Sequence, residues 1–247
     1  MRARGPSTTF RAINASASGS PPLASGDGTD PWSKLDIRVA RIASCEKHPD
    51  AASLFVESVD LGLDSGPRTI VSGLVGYVPV EELQGRMVLV LANLKPRTMR
   101  GVLSSGMLLC AVSNDHSKVE PLAPAQGSQP GDRAVFCSLE EEDETPNEAR
   151  VAAAAELAPA TPNQLQKKKW WEAVQPSLYV DHRGRVKCKT YTLQTRAGVV
   201  YAPTLKNVSV SWPFLAGFAI TGYGMLKIAG AVDDKMVKDS QFVNPKH

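Results

Sequence analysis

The stretch Leu35-Asp36-Ile37-Arg38-Val39-Ala40 alternates apolar Leu35, Ile37 and Val39 with Asp36, Arg38 and the small Ala40. Successive side chains of a strand point to opposite faces, so this period of two reads as a half-buried strand. Outward from it, residues 54–61 read as a second strand, ended by Gly62, and 69–74 as a short third one. Val78-Pro79-Val80-Glu81-Glu82-Leu83 suits one helical turn with proline near its start. The runs 87–92 and 107–112 are continuously apolar, as in strands covered on both faces. Ala134, Val135 and Phe136 close the series. Short strands parted by Gly, Pro and Asp breaks predict a mainly β domain over 33–137, a small barrel or a sandwich.

The remainder of the 247-residue chain divides by charge and composition. Residues 1–32 are rich in Arg, Ser, Ala, Gly and Pro, with too few apolar side chains for a core. This start lacks the apolar stretch of a secretory signal and is either a transit-like leader or a plain tail. Residues 138–162 form an acidic, Ala-rich linker, and the stretch 137–159 carries a net charge of −6. Residues 160–210 carry +7, although the whole chain carries only +3. Charge so segregated points to separate modules, and the basic block at 163–210 invites a polyanion. Within it Lys167-Lys168-Lys169 precedes Trp170-Trp171, of which at least one is expected to pack into a core between the two halves. The lysine run by itself reads equally as a localisation signal or a solvated patch. Residues 186–196 alternate weakly and look like strands.

Catalytic signatures are lacking. The chain has no G-x-S-x-G, Walker loop, G-x-G-x-x-G or H-E-x-x-H. His48, in Lys47-His48-Pro49-Asp50, reads as a surface turn residue, and the adjacent Glu81 and Glu82 diverge rather than converge on a substrate. Cys45, Cys110, Cys137 and Cys188 form no C-x-x-C pair and stand in no metal spacing with the four histidines. They read as buried, inert thiols. Neither a catalytic residue, a metal site nor a cofactor is expected.

The stretch with chemical content is Asn93-Leu94-Lys95-Pro96-Arg97-Thr98-Met99-Arg100-Gly101-Val102-Leu103-Ser104-Ser105-Gly106-Met107. Lys95, Arg97 and Arg100 lie within six residues, between two apolar strands. Gly101 and Gly106 permit positive φ or close backbone approach. Asn93, Ser104 and Ser105 add neutral polar groups, and Met107 offers a polarizable surface for a base. Cations for phosphates beside groups that meet unpaired bases are what an RNA-binding face requires. Taken alone, such a basic loop also reads as simply solvated.

Beyond its residue chemistry, the chain resembles the tRNA-binding domain family. That family includes C-terminal domains of some tyrosyl- and methionyl-tRNA synthetases and the precursor of endothelial-monocyte-activating polypeptide II. The matching pieces are Leu35-Asp36-Ile37-Arg38-Val39, Lys47-His48-Pro49-Asp50-Ala51, Val71-Ser72-Gly73-Leu74-Val75, Asn93-Leu94-Lys95-Pro96, Met99-Arg100-Gly101-Val102, Ser105-Gly106-Met107 and Pro130-Gly131-Asp132-Arg133. The resemblance implies a five-stranded OB-fold barrel. It implies phosphate contacts for Lys95 and Arg100, with Arg97 in the same basic stretch. Asn93, Ser104, Ser105 and Met107 would line the tRNA-facing surface, and Arg38, Arg41 and Lys47 would extend the basic track. At Leu103 the family often carries an acidic or polar residue. Asn163-Gln164-Leu165-Gln166-Lys167-Lys168-Lys169-Trp170-Trp171-Glu172-Ala173-Val174-Gln175-Pro176-Ser177-Leu178 resembles the β-rich extension of the cytokine-like members, which is packed beside the barrel. Lys167, Lys168 and Lys169 would there widen the tRNA surface. The implied function is a non-catalytic tRNA-binding cofactor with an aminoacyl-tRNA synthetase as partner, located in the cytoplasm, or in a mitochondrion or chloroplast if the leader is a transit peptide. A scaffold or cytokine-like interaction protein is the alternative. Nothing in the sequence decides the oligomeric state.

Residues 207–226 carry no charge, and about 20 apolar residues span a bilayer as a helix. A hydrophobic helix, as a membrane partner or a buried core element, is expected over 211–247, with Trp212 and Tyr223 placed as interfacial anchors. Trp212-Pro213-Phe214-Leu215-Ala216-Gly217-Phe218-Ala219-Ile220-Thr221-Gly222, with Phe242-Val243, resembles the small single-span subunit of mitochondrial ATP synthase. A genuine fusion, two neighbouring genes read as one, and chance all account for it.

Overall fold

The computed structural model describes residues 30–138 and 148–211. A short 3-10 turn, Pro31–Lys34, leads into β1 (Ile37–Lys47), the longest strand. β2 (Phe55–Asp60) and β3 (Arg68–Ser72) follow as an antiparallel meander, then one helical turn, α1 (Val80–Leu83). β4 (Met87–Leu91) pairs with the first half of β1. β5 (Arg97–Met99) and β6 (Val102–Ser104) form a separate hairpin. β7 (Met107–Leu108), β8 (Cys110–Val112), β9 (Val119–Pro121) and β10 (Arg133–Ser138) complete the first part. Three helices come next, α2 (Glu148–Glu156), α3 (Pro162–Lys168) and α4 (Trp170–Val174). The strands β11 (Leu178–Val180), β12 (Val186–Cys188), β13 (Tyr191–Thr195), β14 (Gly198–Val199) and β15 (Val208–Ser211) end the described chain.

The architecture is mainly β, as expected, but the sheet is not a closed five-stranded barrel. Among the described residues thirteen strands join in one antiparallel sheet that runs β3-β2-β1-β10-β13-β12-β11-β15-β8-β9, with β4, β7 and β14 as side branches. Among the described residues no ladder joins β3 to β7. The gap is crossed by single bonds: the Val71 N–H donates to Ser104 Oγ (3.0 Å), and the Ser105 N–H donates to Thr69 O (2.9 Å). The chain passes close to both neighbours there: at Gly106 a Cβ would stand 3.1 Å from Ile70 Cδ1 and 3.2 Å from Val90 Cγ1, so the position suits glycine. β1 meanwhile turns its start toward β10, which hands the sheet on to β13.

The continuous apolar run at 87–92 does lie between two cores. Leu89 and Leu91 face one cluster, with Ile37, Val39, Trp171 and Leu193, whereas Val88 and Val90 face the other, with Ile42, Val59, Ile70 and Leu83. The run at 107–112 is not one strand. It breaks at Leu109 because β7 pairs with β4, while β8 pairs with β9 and β15. The first core includes residues of β11 to β13 as well as β1 and β4, so the basic segment shares the apolar interior of the first half. Full burial of a Leu-sized side chain is worth about 1.5–3 kcal/mol, which makes this shared core the chief cohesion between them. All four cysteines are buried and outside any disulfide, and burial pushes the Cys45 thiol up to about 12 and raises Cys110 and Cys188.

The apolar span expected to begin at residue 207 does not begin as a helix. Asn207 takes φ 54°, and Val208–Ser211 is a strand paired with β8 and β11. Val208 and Val210 are buried in the sheet core, so their hydrophobicity serves packing rather than a bilayer. Among the described residues no helix is long and apolar enough to cross a membrane. The rest of the expected span, the ATP synthase-like tail and the 1–29 leader lie outside the described residues.

Candidate nucleic-acid interface

The basic stretch becomes a hairpin rather than a loop. Met99 pairs with Val102, leaving Arg100 and Gly101 as a two-residue turn with φ 48° and 91°. Positive φ at both positions is the condition for the tight turn whose twist matches a hairpin. Glycine meets it without strain, and Arg100 is pushed outward at the tip, exposed. Lys95 and Arg97 are exposed at the hairpin's base. No ion pair among the described residues engages Lys95, Arg97 or Arg100.

A residue read as a surface turn holds this hairpin in place. His48 is buried, 4% exposed, and its ring bridges two backbone segments. Nδ1 accepts the Asp50 N–H (3.0 Å), which leaves Nε2 to donate to Met99 O (3.1 Å). The Lys47-His48-Pro49-Asp50 turn folds back on β5 and so buries the imidazole.

The second wall comes from α3 and α4. Thr161 caps α3 in a capping box: its Oγ1 accepts the Gln164 N–H, and the Thr161 N–H donates to Gln164 Oε1 (3.0 Å). Lys169 closes α3 with φ 52° and starts α4 at once. That bend turns Leu165 and Trp171 inward and leaves Lys167, Lys168 and Lys169 exposed. Trp171 packs in the shared core, and Trp170 lies half-buried against it.

Between hairpin and helices opens a cleft of about 330 Å³, lined by Leu94, Lys95, Arg97, Met99, Ser104, Gly106, Met107, Pro162, Leu165, Gln166, Trp171, Glu172 and Gln175. Of the residues singled out in the sequence, Lys95, Arg97, Ser104 and Met107 meet here. Ser105 stands beside them, half-buried, bound through its N–H to β3. Arg41 and Lys47 are exposed on β1 and do not line the cleft. Arg38 is tied to Asp36 (Nε–Oδ1, 3.0 Å) and Gly131 O (3.2 Å).

Asn93 is spent inside the fold. It is 6% exposed, its Nδ2 donates to Lys34 O and Ala160 O (both 2.9 Å), and its Oδ1 accepts the Asp36 N–H (3.0 Å). It pins the segment before α3 to the start of β1. Arg133, the last residue of the quoted motifs, does similar work, donating to Ala155 O, Leu157 O and Leu35 O. Gln166, Glu172 and Gln175, which the sequence places in the extension but not in a site, form the helical wall. The Thr161-to-Gln164 capping spacing was the signal that a helix begins there. Among the described residues no cluster of His, Cys, Asp or Glu could hold a metal ion.

The model of the putative tRNA binding domain family matches residues 37–133, from the first residue of β1 to the first residue of β10. Those residues belong to the putative tRNA binding domain family. The aminoacyl tRNA synthase complex-interacting multifunctional protein 1 of Mus musculus is 45% identical over 179 residues, which cover 72% of this chain and 51% of that protein. The cytoplasmic tyrosine–tRNA ligase of Danio rerio is 42% identical over 180 residues, covering 72% of this chain and 31% of the ligase. The chain thus spans about half the length of the first relative and less of the second. The solved C-terminal domain of Plasmodium vivax p43 superposes with TM-score 0.61 at 29% identity, over 74% of this chain and 99% of that one. The tRNA binding domain proper contributes the hairpin wall of the cleft, and the residues that follow it contribute the helical wall.

Proposed function

We propose that this chain is a non-catalytic tRNA-binding protein that acts beside an aminoacyl-tRNA synthetase. One observation carries the proposal: exposed cations from two distant parts of the chain come to the two walls of one cleft, Lys95 and Arg97 lining its hairpin wall with Arg100 exposed at the hairpin tip, and Lys167, Lys168 and Lys169 exposed along α3 and at its end, in the helical wall. Such an arrangement meets the phosphates of a folded RNA without reading its sequence. Membership of the family supports tRNA as the ligand. The relatives, a protein that interacts with the aminoacyl tRNA synthase complex and a tRNA ligase, support a synthetase as partner. The OB-type reading of β1 to β4 rests on the resemblance, with the ladder left open at β3. Asn93 and His48 serve this surface from behind by fixing its walls, Arg38 is tied to Asp36 and Gly131 at the start of β1, and Arg41 and Lys47 extend the charge. If residues 1–32 act as a transit-like leader the chain belongs to a mitochondrion or chloroplast, and if they are a plain tail, to the cytoplasm.

The test is a native gel of the full chain with mixed tRNA across a salt series. Lys95→Ala and Arg100→Ala should each weaken binding to all tRNAs alike and flatten the log–log salt slope by about 0.7–0.9. Variants that bind as the parent does at moderate salt would remove these residues from the interface.

A further inference from the structure

We infer that the cleft between the hairpin and α3–α4 receives a single unpaired nucleotide of the bound RNA. The inference rests on the tRNA-binding reading above and adds a defined base pocket to it.

The cleft's floor is apolar and polarizable: Met99, Met107, Leu165 and Trp171. Thioether and indole surfaces are the ones on which bases lie flat. Its rim is split by chemistry. Lys95 and Arg97 stand on the hairpin side, where a phosphate would pass, and Gln166 and Glu172 on the helical side, where a base edge would end. The carboxylate of Glu172 accepts, so it suits a base edge that donates, through an exocyclic amine or through a ring N–H. Size decides against a docked helix. A volume of about 330 Å³ lies at the lower end for ligand pockets, whereas a bound helix about 10 Å across needs a long groove. Charge agrees: Lys95 and Arg97, with Lys167 next to Gln166, outweigh the one carboxylate Glu172. The pocket is also built, because its two walls are held by buried side chains. His48 fixes Met99 from the hairpin side, and Asn93 fixes Ala160 just before α3.

The experiment fills the cleft from its exposed helical rim. Gln166→Trp and Glu172→Trp are made separately in the full chain, so that one informative variant remains if the other fails to melt like the parent. Each should lower tRNA affinity about tenfold, within the range for loss of one stacked base, while the salt slope stays at the parent's value. Probing at saturating protein, with dimethyl sulfate for adenine and cytosine and a carbodiimide for uracil and guanine, should show one unpaired base protected by the parent and reactive with either variant. Folded variants that keep the parent's affinity and footprint would overturn the pocket and leave the tRNA-binding reading standing; a cleft that serves a protein partner gives this result. A parent chain that shifts no tRNA in dilute buffer would overturn the reading and the pocket together.

Discussion

Replacing Asn93 by alanine separates a residue that touches RNA from one that builds the surface. The side chain makes three hydrogen bonds, to Lys34 O, Ala160 O and the Asp36 N–H, all at 2.9–3.0 Å. A typical internal bond contributes about 0.5–1.5 kcal/mol net, and a buried group left unpaired costs about 1–3 kcal/mol. Three bonds at about 1 kcal/mol each give a destabilisation of about 3 kcal/mol, which corresponds to about 6–12 °C in melting temperature for a chain of this size. Asn93→Asp should do no better, because a carboxylate oxygen would face the two carbonyls that Nδ2 now serves. Thermal unfolding followed by circular dichroism reads the loss directly. Affinity for tRNA should fall only as far as the folded population and the position of α3 are disturbed. A variant that melts like the parent but no longer binds tRNA would refute this reasoning and return Asn93 to the RNA-facing surface.

Two further perturbations follow from buried groups. Glu57 is wholly buried in the core of β1 to β4, accepts a 2.6 Å bond from the Ser72 hydroxyl, and is pushed up to about 8 by desolvation. The native state therefore keeps this proton after the unfolded chain has lost it. Stability should fall as pH rises from the ordinary carboxylate range to about 8, by at most about 1.4 kcal/mol per pH unit, and level off above. Denaturant titrations should show this slope in the difference between parent and Glu57→Gln, and parallel curves would exclude it. His48→Ala removes the anchor of Met99 O, so the hairpin tip should exchange its amide protons faster and tRNA affinity should drop several-fold. Unchanged hydrogen exchange across 97–104 would show that the imidazole does not hold the hairpin.

Period and chemistry along the chain determined much of this protein before any coordinates. The alternation at 35–40 and the double-sided run at 87–92 specify strands because their faces are local properties of the pleat. The spacing of Lys95, Arg97 and Arg100 about Gly101 marks a cationic projection for the same local reason. Only the tertiary structure decided what those elements join. The sheet passes from β1 through β10 to β13 instead of closing, since pairing partners are chosen by packing between residues 53 to 97 positions apart. The helical wall of the cleft, the inward turn of His48 and the internal use of Asn93 each depend on atoms distant in sequence. The charge-free start at 207 illustrates the limit: apolar composition is the same whether a segment faces lipid or, as Val208 and Val210 do, the interior of a sheet.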